Sequence, residues 1–76
     1  MYQMKENIKG RAVSYSIDMI NCNTPDRTKE IYVDMKVWCY ENIKHGEYYI
    51  AQIGNYKIDA GFADIESATA FKLRWS

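Results

Sequence analysis

A single histidine, His45, two cysteines, Cys22 and Cys39, and one proline, Pro25, leave the chain short of the residues that build metal centres and disulfide frameworks. A structural zinc needs three or four ligands at short spacings, and neither C-x-x-C nor H-x-x-x-H occurs. Charge of one sign is not in excess either: ten Lys and Arg balance ten Asp and Glu. That balance removes the positive field on which non-specific nucleic-acid or membrane-surface binding draws. No run approaches the roughly 18 apolar residues of a membrane span, and Lys5 and Glu6 fall where a signal peptide would need an apolar stretch. These absences predict a soluble, non-exported protein without metal, cofactor or membrane partner. They also favour reduced thiols over a Cys22–Cys39 disulfide.

What is present is enough for one α+β domain over residues 1–76, with apolar residues at 47% and a core that buries about 60% of the unfolded surface. From Val13 to Met19, the residues Val13, Tyr15, Ile17 and Met19 alternate with Ser14, Ser16 and Asp18, the period of a half-buried strand. Residues Asn21 to Asp26 then read as a turn into a helix, with Thr24 as N-cap and Pro25 in the first helical position. That helix is expected to run to about Lys44, where Gly46 would end it in a left-handed conformation. Two apolar runs, Tyr48 to Ile53 and Tyr56 to Ala63, flank Gly54-Asn55 and predict a hairpin with a two-residue type II′ turn. Asp64 is placed to cap a second helix with a buried stripe of Ile65, Ala68, Phe71 and Trp75, although residues 71–75 also alternate like a strand.

The order β-α-β-β-α predicts a three-stranded antiparallel sheet ordered first, third, second, with both helices on one face. This is a ferredoxin-like split unit without its fourth strand. Residues Met1 to Ile8 are free either to add an extra strand at the vacant edge or to lie across a helix.

On a wheel of about 100° per residue, Ile31, Tyr32, Met35, Trp38, Cys39 and Ile43 form the core stripe of the first helix. Val33, Val37 and Tyr40 fall together on nearly the opposite face. Glu30, Asp34 and Glu41 line one flank of this second stripe, and Lys29 and Lys36 the other. A helix covering one side of a sheet needs no such ridge. An apolar ridge with an acidic rim fits a protein partner or a twofold copy of the chain; Tyr2, Met4 and Ile8 covering it internally would be the bland alternative.

Catalytic chemistry finds little support. Cys39 belongs to the core stripe, where burial makes a thiol inert, and His45 is better placed as a helix-end dipole partner than as its base. Gly54-Asn55 and Ala60-Gly61 match no phosphate-binding motif. The expected open sheet face offers Ser14, Ser16, Asp18, Lys57 and Asp59, with no ring from the central strands. Only Tyr48 or Tyr49 could place a ring there, and with Lys57 and the basic residues near the N-terminus, Lys5, Lys9 and Arg11, could make a weak single-strand-binding patch.

Two segments, Trp38-Cys39-Tyr40-Glu41-Asn42 and Phe62-Ala63-Asp64-Ile65-Glu66-Ser67-Ala68-Thr69-Ala70-Phe71-Lys72-Leu73-Arg74-Trp75, resemble a group of short uncharacterised tailed-bacteriophage proteins. Those proteins carry a central Trp-Cys pair and close on Phe-Lys-Leu-Arg-Trp. Ile65 and Ser67 depart from the more acidic cap usual in that group. The resemblance implies a phage origin and a host-cytoplasm setting, with no activity attached. The function expected is therefore that of a non-enzymatic phage accessory protein. It would bind a host or phage protein, as an inhibitor in one form of the reading, through Val33, Val37 and Tyr40 with Glu30, Asp34 and Glu41. A single-stranded nucleic-acid module and a homo-oligomeric structural subunit are the alternatives.

Overall fold

The computed structural model describes residues 3–20 and 24–75. Six elements follow in order: β1 (Gln3–Lys9), β2 (Ala12–Asp18), α1 (Pro25–Asn42), β3 (Tyr48–Ile53), β4 (Lys57–Phe62) and α2 (Ile65–Trp75). The class is α+β, with a four-stranded antiparallel sheet in the order β1-β2-β4-β3. The count is four strands rather than three because residues 3–9 fold back along the vacant edge of β2 and not across a helix. Gly10-Arg11 makes that return possible: Lys9 pairs with Ala12, and Gly10 supplies the positive φ, +61°, that the first position of a II′ turn requires.

At Gly54-Asn55, where sequence predicts a two-residue turn, the loop holds three residues. Ile53 pairs with Lys57, Gly54 takes φ +71°, and Tyr56 leaves the β3 ladder because its carbonyl accepts from Met19 N–H at 2.7 Å. The expected turn at Asn21, Cys22 and Asn23 lies outside the described residues.

Helix α1 begins as its sequence dictates. Thr24 Oγ1 accepts from Arg27 N–H at 3.2 Å, and Pro25 stands in the first turn. It stops at Asn42, earlier than expected. Ile43 turns to an extended conformation, donates its N–H to Cys39 O at 2.8 Å and sinks its side chain into the core. Gly46, with φ +83°, therefore shapes the turn into β3 and does not cap the helix. Asp64 does cap α2, its carboxylate accepting from Ser67 N–H at 2.7 Å, and residues 71–75 are helical.

Both helices share one core with one face of the sheet: Val13, Tyr15 and Ile17 of β2, Ile58, Ala60 and Phe62 of β4, Ile31, Met35 and Cys39 of α1, and Ala68 and Phe71 of α2. Thr28, unforeseen in the stripe, is buried as well, its hydroxyl donating to Thr24 O at 3.0 Å. Ile65 is the exception to the α2 stripe, being 61% exposed. As the first helical residue it sits at the sheet corner beside Ile8 and Arg11, past the reach of the core. Phe71 stands at the centre, with ring centroids 5.0 Å from Phe62, 6.1 Å from Tyr15, 6.1 Å from Trp38 and 6.4 Å from Trp75. Phe71→Ala should cost about 3–5 kcal/mol in urea unfolding, whereas Leu73→Ala, at a site 77% exposed, should stay within about 0.5 kcal/mol.

Candidate docking surface

The turn-by-turn spacing of α1 decides which side chains it can offer. Thr28, Ile31, Met35 and Cys39 face the sheet, with Tyr32 and Trp38 half-buried on either side of them. Val33, Val37 and Tyr40 then stand outward, 48%, 51% and 63% exposed. Met4 and Ile8 do not reach them, because β1 occupies the opposite edge of the sheet from β3; Tyr2 lies outside the described residues. Of the flanking acids, Asp34 and Glu41 are exposed, and Glu30 forms an exposed ion pair with Arg27 at 2.9 Å. The acidic rim is therefore partly answered within the helix itself. Lys36 leans over the Tyr32 ring at 5.2 Å, and Tyr40 packs against His45 with centroids 4.7 Å apart.

Beside this ridge runs the free edge of β3. Ala63 N–H donates to Glu47 O at 2.9 Å, which fixes the phase of the antiparallel ladder with β4. Hydrogen-bonded pairs then fall at Tyr49/Gly61, Ala51/Asp59 and Ile53/Lys57, and Tyr48, Ile50 and Gln52 aim their N–H and C=O groups away from β4. Between that edge and α1 lies an open, largely apolar concavity of about 340 Å³, lined by Lys36, Val37, Tyr40, Glu41, Tyr48 and Ile50. Sequence reasoning found the helix ridge and missed the edge. The one available signal was the composition of Tyr48 to Ile53, which contains no charge and no proline.

The second candidate surface is the open face of the sheet. Register with β4 puts Tyr48 opposite Phe62 on the helix-covered face and Tyr49 opposite Gly61 on the open one. The Tyr49 ring lies down on Gly61: a Cβ added there would come within 2.0 Å of its Cε1. Around it, concavities of about 450 and 420 Å³ are lined by Lys5, Lys9, Asn7, Ser14, Lys57 and Asp59. Asp59 Oδ1 is enclosed there without a hydrogen-bond partner among the described residues.

Groups suited to catalysis are not gathered on either surface. Cys39 carries a free, fully buried thiol whose pKa burial pushes up to about 11, and His45 lies against Tyr40. Cys22, the other half of the disulfide weighed above, lies outside the described residues. Burial first, then the nearby charge of Glu6, push the Tyr15 hydroxyl up to about 12; that hydroxyl donates to Ala68 O at 3.2 Å. Among the described residues there is no cluster of three or more metal-ligating side chains and no helix long and apolar enough to cross a membrane. Comparison with protein-family models, curated proteins and solved structures finds no match to the chain.

The two raised pKa values act in the same direction. Each group stays protonated in the folded chain at a pH where the unfolded chain has released the proton. The stability they contribute is full below about pH 9 and falls as pH rises through 9–11 for Cys39 and 10–12 for Tyr15. Thermal unfolding measured from pH 8 to 12 should fall most steeply across that window, and Cys39→Ala with Tyr15→Phe should flatten the fall.

Proposed function

We propose that this chain is a non-enzymatic protein-binding module that docks through the outer face of α1. The observation that carries the reading is the exposure of Val33, Val37 and Tyr40 on a helix whose opposite face already supplies the core. Small exposed apolar ridges rimmed by charge are common in protein interfaces, where the apolar centre is desolvated and the charged rim sets orientation. The resemblance to tailed-bacteriophage proteins adds the setting: an accessory protein of the host cytoplasm whose partner is a host or phage protein. The sheet order supports reading β2-α1-β3-β4-α2 as a ferredoxin-like split unit, with β1 where that fold would place its fourth strand. Affinity capture with the wild-type chain and with Val37→Asp combined with Tyr40→Ala tests the reading. The variant should lose the partner at least tenfold while its thermal midpoint moves by less than about 4 °C. Undiminished capture by the variant would remove this surface from the account.

Tyr49 favours a second reading, a weak single-stranded nucleic-acid site on the open face. A ring held flat on Gly61 presents its other side to a base, and stacking of this kind contributes about 1–3 kcal/mol per base. Lys5, Lys9 and Lys57 supply phosphate contacts, against which Asp18 and Asp59 act on the same face. Titration of labelled oligonucleotides at two salt concentrations should then show salt-dependent binding that Tyr49→Ala weakens at least fivefold. Absence of any salt-dependent binding excludes the site.

A further inference from the structure

We propose that two copies of this chain pair along β3, antiparallel across a twofold axis, to form one continuous eight-stranded sheet with the two α1 ridges side by side. The proposal rests on the docking reading and names the occupant of that surface. Three observations point to a second copy.

The first is hydrogen bonding. Tyr48, Ile50 and Gln52 hold three N–H and three C=O groups directed away from β4, on an edge that no other described strand covers. A strand laid antiparallel to itself with Ile50 on the axis sets Ile50 opposite Ile50 of the partner subunit and Tyr48 opposite Gln52 of the partner subunit. All six groups on each side then find partners, as an isologous interface requires.

The second is the contrast between the two edges. β1 carries Lys5, Glu6 and Lys9, the charges that discourage pairing between sheets, whereas β3 reads Tyr-Tyr-Ile-Ala-Gln-Ile and carries none.

The third is charge. The concavity beside the edge has one positive and one negative rim residue, Lys36 and Glu41, and the chain as a whole is formally neutral. A strongly charged partner would find no complementary field there, and a second copy meets no net repulsion. Two edges already ordered in their own sheets also avoid the entropy that an extended peptide loses on binding.

Sedimentation of the intact chain from about 1 to 200 µM tests the proposal, since association by mass action must follow concentration. The wild type should pass from one chain mass to twice that mass. Gln52→Pro removes an outward N–H and leaves the β4 ladder intact, so it should remain monomeric with an unchanged far-ultraviolet spectrum. Ala51→Lys, opposite Asp59 within its own chain, keeps the backbone and should weaken association at least tenfold, with partial recovery in salt. Val37→Asp with Tyr40→Ala should weaken it likewise.

A wild-type chain that stays monomeric throughout, assembles beyond two copies, or dimerises unchanged in any folded variant overturns the proposal. Should the chain stay monomeric and instead capture a different protein, sensitive to Gln52→Pro, the edge belongs to a foreign strand. The second-copy proposal then fails while the docking reading stands. Failure of both self-association and Val37-dependent capture removes the docking reading as well.

Discussion

The Phe71 ring touches every layer of the molecule: β2 through Tyr15, β4 through Phe62, α1 through Trp38 and its own helix through Trp75. A chain of this size has room for one such cluster, so everything apolar that folding can bury must converge on a single side of the sheet. Aromatic pairs at these separations add directional preference to area burial, which fixes how α2 lies across the central strands. Tyr15 reinforces the arrangement, because its ring joins the cluster while its hydroxyl donates to the α2 backbone at Ala68. The exposed Lys72–Glu6 pair at 4.0 Å, between α2 and β1, adds little by comparison.

One-sided convergence has a consequence for function. With both helices committed to the same face, the outer side of α1, the open side of the sheet and the outer edge of β3 are left without cover. Their chemistry differs. The open face is polar, mixed in charge and organised around one ring, Tyr49, whose position depends on Gly61 having no side chain. The helix ridge and the β3 edge are adjacent and apolar, and they share the concavity that Val37, Tyr40, Tyr48 and Ile50 line. Adjacency matters because a partner strand on the edge would be carried alongside the ridge. Backbone hydrogen bonds and apolar burial would then act in one interface.

Much of this was legible in the sequence wherever a single periodicity decided the outcome. The alternation through Val13, Tyr15 and Ile17 gave β2 its inward face, Thr24-Pro25 marked the start of α1, and the 100° wheel separated Met35 from Val37. Features that depend on a competition between elements were harder to read. Nothing local says that residues 3–9 prefer the β2 edge to a helix surface; Gly10 and an unfilled ladder decide it. Gly54-Asn55 looked like a two-residue turn because the demand of Met19 N–H for the Tyr56 carbonyl is a contact from another strand. Ile43 leaves the helix yet keeps its side chain in the core, a backbone change the wheel cannot register, and Ile65 stands at the corner beside Ile8 and Arg11, outside the core. The ridge of the candidate site could be read from the helix alone. The β3 edge could not, since its outward groups follow from strand order and ladder phase together.

The two sheet edges are not equivalent, and folding alone does not require the asymmetry. Charges at an edge are inexpensive to place, because their side chains remain in water, and β1 has them at three of its seven positions. β3 could carry the same residues at Tyr49, Ala51 or Ile53, all on the solvated face, without disturbing the core. It has instead an unbroken uncharged run, next to a helix that spends three outward positions on Val33, Val37 and Tyr40. Two neighbouring elements thus depart from the ordinary solvated pattern on the same side of the molecule; Ile8, Ile20, Ile65 and Leu73 are exposed elsewhere, but off this edge and ridge. Fold stability requires neither departure, and the proposed interface spans both.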